Sequence, residues 1–159
     1  MKRARNLLVA NLIAQLAFGL LAMTLCLPSM QEWGAIFQAS QSAVQLTFSL
    51  YVLAYGGFQL IYGPMSDRYG RKPILLIGLF TLFLGATIAA FANSLETLLL
   101  GRFIQGAGGA AGMVVGRSMV QDLFHGPERT KVMAYVGMSL GCVPPLASIT
   151  GGQIHVHLG

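Results

Sequence analysis

The chain has 159 residues, 55% of them apolar and only 9% charged, with a formal net charge of +5. A water-soluble domain of this size carries about 25% charged residues, so most of this surface faces lipid rather than water. A surplus of Lys and Arg in a soluble chain suggests nucleic acid, but here the basic residues sit in short segments between long apolar runs, the pattern of membrane topology.

A bilayer crossing takes about 20 apolar residues, and five runs of that order follow one another at residues 7–29, 43–65, 73–95, 98–120 and 132–154. The first follows Lys2, Arg3 and Arg5. It is too long for the apolar core of a signal peptide and lacks an obvious small-residue cleavage site, so it reads as an uncleaved span. Asn11, Gln15, Ala22 and Cys26 fall close to one stripe at helical spacing. Ahead of the second span, Ser40 and Ser42 stand where an N-cap belongs. Gln45, Phe48, Tyr55, Gln59 and Tyr62 form its own stripe. Polar side chains inside a membrane either line a watery cavity or hold helices together by hydrogen bonds. Both readings stay open for Asn11, Gln15, Cys26, Tyr55 and Gln59.

The third span, "PILLIGLFTLFLGATIAAF", is apolar on every face and is expected at the periphery, against lipid. The fourth is rich in glycine and interrupted by Arg102 and Arg117. Gly108, Gly112 and Gly116 follow the small-xxx-small spacing that lets two helices approach closely. Arg102, Gly106, Gly109 and Met113 share an adjoining face, with Gln105 beside it. A charge at this depth costs on the order of 2.5–3.5 kcal/mol. Arg102 therefore either turns inward on a face stripped of bulk or snorkels to the outer surface. In the fifth span Pro144 and Pro145 remove backbone donors and are expected to bend the helix.

Charge between the spans alternates. Lys2, Arg3 and Arg5 precede the first; Arg68, Arg71 and Lys72 follow the second; Arg129 and Lys131 precede the fifth, with Arg117 at the edge. The other two connections offer only Glu32 and Glu96. Basic residues collect in cytoplasmic loops, so the N-terminus is expected inside and the fifth span ends outside. Cys26 and Cys142 lie in apolar runs and read as small packing residues rather than a disulfide. The five carboxylates, Glu32, Asp67, Glu96, Asp122 and Glu128, all belong to loops or helix ends. No nucleophile–base pair, phosphate loop or metal cluster is visible, and His155 and His157 in "HVHL" are too weak a signal for one. The reading is neither an enzyme nor a cofactor protein.

Two stretches carry a resemblance. "GPMSDRYGRKP", with Gly63, Asp67, Arg68, Gly70, Arg71 and Lys72, resembles the signature between the second and third helices of the major facilitator superfamily. "LLLGRFIQGAGGAAG", with Arg102, Gln105, Gly106, Gly108 and Gly109, resembles the fourth-helix signature of its drug:proton antiporters. "SAVQLTFSLYVLAYGGFQLIYGPMSDRYGRK" and "RSMVQDLF" are similar to the bicyclomycin-resistance (Bcr/CflA) type. The resemblance implies an all-α integral membrane fold. Such transporters have twelve helices in two six-helix halves that rock about a central site, and this chain would supply five helices of the first half. It further implies a multi-pass protein of the bacterial inner membrane that exports small amphipathic compounds, with the proton as coupling ion.

By the same resemblance, Asp67 faces a helix N-terminus of the C-terminal half and Arg71 pairs with Asp122 near the end of the fourth helix. Gly63 and Gly70 would bracket a tight turn lying close to other backbone. Three departures stand against the pattern. "TLCLPS" places Thr24 and Cys26 where the subfamily has an acid and a tyrosine, keeping Leu27 and Pro28. "ASITGG" replaces Gly-Pro-x-x-Gly-Gly in the fifth span. Neither leaves a carboxylate within the spans to carry a proton. The chain also stops before a sixth helix and the second half. An importer or facilitator of the same fold, and a truncated fragment that transports nothing, are the alternative readings. For orientation, a cysteine at Ser94 is expected to react with an impermeant thiol reagent from outside and one at Ser66 is not; the reverse pattern overturns the assignment.

Overall fold

The computed structural model describes residues 2–158, with side chains over 5–154; the side chains of Lys2, Arg3, His155 and His157 lie outside that set. The described residues form six helices: α1 (Lys2–Thr24), α2 (Met30–Ile36), α3 (Gln41–Tyr69), α4 (Arg71–Ala90), α5 (Leu95–Leu123) and α6 (Gly126–Leu158). All but the short α2 are long and apolar enough to cross a membrane. Helix α2 fills part of the connection between the first two spans, and Met30 anchors it by burial.

Helix boundaries follow local chemistry. The Ser40 hydroxyl accepts from the Ala43 amide at 3.3 Å and caps α3, while Ser42 lies inside the first turn with its hydroxyl 2.9 Å from that of Ser40. Ser94 caps α5 in the same way, accepting from Thr97 at 3.2 Å. Gly70 alone separates α3 from α4, at φ +94°, a conformation open to glycine. This corrects the expected turn. Gly63 lies within α3, and a Cβ there would meet nothing within 4 Å. Asp67 and Arg68 end α3, and Arg71 and Lys72 begin α4.

Helix α5 is the centre of the bundle. Of its most apolar stretch 72% is buried, against 17–22% in the other four spans. Its glycines are spread over several faces, and each face receives a different helix. A Cβ on Gly108 would stand 2.6 Å from the Gly78 carbonyl oxygen of α4, and one on Gly112 2.6 Å from the Gln15 carbonyl oxygen of α1. A Cβ on Gly106 would collide with the Tyr51 carbonyl of α3. The small-xxx-small row thus does not join a single pair of helices. Residues four apart drift by about 40° around a helix with 3.6 residues per turn, so Gly108 faces α4 while Gly112 and Gly116 face α1.

The remaining helices present only narrow seams to this centre. Helix α4 buries Ile74, Gly78, Leu82 and Gly85 against α5, and leaves Leu76, Ile77, Phe80 and Phe83 exposed on the outside. Helix α6 runs through Pro144 and Pro145 without ending there. It lies chiefly along α1, and just past the end of that helix a Cβ on Gly151 would collide with the Leu25 carbonyl.

Two expectations follow from this packing. Ser66 is only 1% exposed, so a cysteine there reports burial rather than sidedness. Tyr69, 58% exposed, is the better partner to Ser94 in the labelling experiment, with Cys26 and Cys142 replaced by alanine. Gly108→Ala drives a methyl group into α4 backbone and is expected to cost on the order of 1–3 kcal/mol. Gly137→Ala, with nothing within 4 Å, is expected to be neutral or stabilising. Thermal melting of the two variants in detergent measures the contrast, and equal melting temperatures contradict the central role given to α5.

Candidate functional site: a guanidinium bridge and a buried arginine

At the end of the bundle where α3 meets α4, Arg71 joins three helices. Its Nε–H donates to Asp122 Oδ2 at the end of α5, at 3.0 Å. Its Nη1 donates to Asp67 Oδ1 at 2.5 Å and to Ser66 Oγ at 2.7 Å, both in the last turn of α3. The Ser66 hydroxyl in turn donates to the Gly63 carbonyl at 2.9 Å. The single-residue link at Gly70 sets Arg71 four positions from Asp67, and the close seam between α4 and α5 brings Asp122 within reach. Arg71 is largely covered, but the Asp67 side chain remains 68% exposed. Asp67 is therefore open to a further partner. Arg68 lies with its guanidinium 5.5 Å from the centroid of the Tyr69 ring, and Lys72 is exposed; neither joins the bridge. Ion pairs this exposed contribute between about 0 and 1 kcal/mol each, which suits a contact that forms and breaks.

The second candidate lies in the other part of α5, towards its N-terminus. Arg102 is 1% exposed and turned inward, so the guanidinium does not snorkel. Its Nη1 donates to Gln105 Oε1 at 2.7 Å and to the Ala22 carbonyl at 3.3 Å, with Cys26 Sγ at 3.7 Å. Its Nη2 donates to the Met23 carbonyl at 3.4 Å. The guanidinium carbon sits 4.6 Å from the centroid of the Tyr51 ring, and the Tyr51 hydroxyl donates to the Gly19 carbonyl at 2.7 Å. Ala22 and Met23 belong to the last turn of α1, where carbonyls lack helical partners and the helix dipole is negative. The buried cation is thus met by a helix end, an amide and an aromatic face. No carboxylate forms an ion pair with it among the described residues. Its Nε is buried without a hydrogen-bond partner.

The remaining sequence candidates are dispersed around these two centres. Gln15 Nε2 donates to Asn11 Oδ1 on the same face of α1, and Asn11 itself is exposed. Gln15 Oε1 and the Tyr55 hydroxyl are buried without partners. Met113 is packed with Leu16 and Val136, with Tyr55 alongside, in an apolar cluster. Cys26 and Gln59 are half-buried. Gly106 and Gly109 both lie against Tyr51, which clears the way for the ring beneath Arg102. Tyr51 itself was missed by the sequence reading. Its signal was the Tyr51–Tyr55 spacing of one helical turn, and the two rings stack with centroids 6.1 Å apart.

Comparison with known proteins shows the family. The chain is 33% identical over 155 residues to the multidrug resistance protein D of Escherichia coli, an alignment covering 97% of this chain and 39% of that protein. It is 37% identical over 130 residues to a bicyclomycin resistance protein homolog of Haemophilus influenzae, covering 80% of this chain and 32% of that one. It is 31% identical over 159 residues to a chloramphenicol resistance protein of Pseudomonas aeruginosa, covering 98% and 38% respectively. The chain thus spans between 32% and 39% of the length of these relatives. The family model for the major facilitator superfamily matches residues 7–159, and with five apolar helices packed around α5 the chain belongs to that superfamily.

Proposed function

We propose that this bundle is the first part of an alternating-access exporter of small amphipathic compounds, driven by protons and resident in the bacterial inner membrane with its N-terminus in the cytoplasm. The observation that carries the reading is the Arg71 bridge. It ties the ends of α3 and α5 through groups that remain partly in water, and it leaves Asp67 exposed for a second partner. Such a partner fits a helix N-terminus of a C-terminal half, which an anionic side chain stabilises. Gly63, Asp67, Arg68, Gly70, Arg71, Lys72 and Asp122 then form the element that distinguishes the two states. Arg102, Gln105, Gly106 and Gly109 would shape the substrate-side surface, with Asn11, Gln15, Cys26, Tyr55, Gln59 and Met113 around it. The resistance named for the relatives supports export of drug-like molecules.

One observation favours a second reading, a facilitator without proton coupling. Glu32, Asp67, Glu96, Asp122 and Glu128 all lie at helix ends or in the short α2, and the Arg102 surroundings supply carbonyls where an acid would be needed to carry a proton.

The test uses these 159 residues completed to twelve helices with the remainder of the E. coli relative, reconstituted in liposomes under an imposed proton gradient, with dye efflux as the readout. Gradient-driven efflux supports the exporter, downhill movement indifferent to the gradient supports the facilitator, and no movement in either case rejects both. The 159 residues alone are expected to move no dye, since rocking needs two bundles.

Asp67→Asn is expected to lower transport several-fold with insertion intact. The dipole contact it weakens is worth roughly 0.3–1 kcal/mol when exposed and up to about 2 kcal/mol when partly buried, and the balance between transporter states is of similar size. Wild-type rates in this variant reduce the bridge to a topology anchor. Arg102→Lys is expected to lose most transport at unchanged expression, because a point charge cannot hold two α1 carbonyls and Gln105 as a planar fork does. Equal transport removes Arg102 from the site.

A further inference from the structure

The contact between Tyr51 and Arg102 is closed by the bundle itself. Tyr51 is 0% exposed and Arg102 1%, so it does not depend on what covers the outer faces. Both ends of Tyr51 rest where α5 has no side chain. A Cβ on Gly106 would collide with the Tyr51 carbonyl, and one on Gly109 would stand 3.0 Å from the Tyr51 hydroxyl oxygen. Arg102, Gly106 and Gly109 follow one another about a turn apart, so two glycines clear a seat and the arginine closes it. The hydroxyl reaches across to α1, where it donates to the Gly19 carbonyl at 2.7 Å. Gly19 is bare for the same reason: a Cβ there would stand 2.8 Å from Tyr55 Cε2 and 2.9 Å from the Gly109 carbonyl oxygen.

The Arg102 guanidinium needs what this ring offers. Among its acceptors only Gln105 Oε1 is at short range, 2.7 Å. The Ala22 and Met23 carbonyls stand at 3.3 and 3.4 Å, and the Cys26 sulfur at 3.7 Å. Contacts this long fix the direction of the fork weakly, and Nε has no partner. The Tyr51 ring, its centroid 4.6 Å from the guanidinium carbon, presents a negative face to the cation, an attraction that is stronger away from water. The ring is itself held, by its hydroxyl on α1 and by the stacked Tyr55 ring with centroids 6.1 Å apart. An aliphatic side chain of similar bulk would fill the seat without offering either contact.

We propose that Tyr51 is a positioning residue for transport. Its ring face holds the Arg102 guanidinium against the last turn of α1, and its hydroxyl holds the ring, so that α1, α3 and α5 move as one body. The role in transport rests on the reading of Arg102 given above, whereas the contact itself is measurable without transport.

The protein completed to twelve helices, with Tyr51→Phe and its mono-, di- and trifluorinated forms introduced by nonsense suppression, tests the proposal. Ring fluorines change size little and withdraw charge from the ring face step by step. Melting temperature in detergent and dye efflux are both expected to fall along the series, efflux by on the order of tenfold in all. The fall in melting temperature is expected to vanish in the Arg102→Gln background. Tyr51→Phe, which keeps the ring, is expected to retain most efflux. Tyr51→Leu is expected to lose as much as Arg102→Lys at unchanged expression. A level melting series, or one equally steep in Arg102→Gln, would mean that the ring only fills space and overturns the proposal. A sloping melting series with level efflux, or equal efflux in Tyr51→Leu and Tyr51→Phe, reduces the contact to a structural one and overturns the positioning role. If the protein with Tyr51 intact moves no dye, the transport reading fails and the role in transport with it, while the melting series alone still decides whether the ring holds the guanidinium.

Discussion

Backbone-to-backbone approach around α5 is the constraint on which the rest of this bundle depends. Between helices in lipid there is no hydrophobic driving force, and association rests on close van der Waals contact. Removing side chains from one helix is the direct way to obtain it. Helix α5 does so on several faces: Gly106 admits α3, Gly108 admits α4, and Gly112 and Gly116 admit α1. Both candidate centres follow. The Arg71 bridge exists because α4 lies close enough to α5 for a side chain in the first turn of one to reach the last turn of the other. The Arg102 cluster exists because α1 and α3 press against α5 where Gly106 and Gly109 leave room for Tyr51.

The two arginines illustrate opposite uses of one side chain. Arg71 is held by carboxylates in a partly wet setting, where each contact contributes little and is readily exchanged. Arg102 is held by carbonyls, an amide oxygen and a ring in a dry one. There the cost of an unpaired cation is severe, and several weak acceptors together must offset it. The last turn of α1 is suited to this task, because its free carbonyls and dipole are negative without carrying a titratable group. A guanidinium held in this way keeps its place without an acid beside it. Near Thr24 and Cys26 the helix end itself supplies the negative potential.

The distribution of polar residues on α1 and α3 has a similar logic. Asn11 and Gln15 satisfy one another along α1, while Gln15 Oε1 and the Tyr55 hydroxyl remain buried without partners. Unpaired polar groups in an apolar bundle are costly, and here they gather beside the helix that also carries Arg102. Packing and polarity are therefore separated within one small bundle. Helix α4 supplies apolar bulk on the outside, and α1 and α3 bring the polar groups to the glycine-lined centre.

The sequence by itself determined the membrane class, the number and order of spanning helices and the spacing of charge. These depend on composition and on apolar length, both of which are local quantities. It also made the Arg71–Asp122 pairing legible, though through resemblance rather than periodicity; that Arg71 holds Asp67 as well was decided by the fold. Tertiary structure decided everything that depends on which face meets which neighbour. Gly63 had the look of a turn residue, but the helix continues through it because its carbonyl is retained by Ser66 and no close backbone demands a bend. The glycine row looked like a contact with one partner and became contacts with two, α4 and α1, because a helix of 3.6 residues per turn rotates a four-residue repeat slowly out of register. The direction of Arg102, inward or outward, could not be read from a linear pattern that suits both. It was settled by the end of α1 and the ring of Tyr51, groups 79 and 51 residues away in the chain, which only the folded bundle brings to one place.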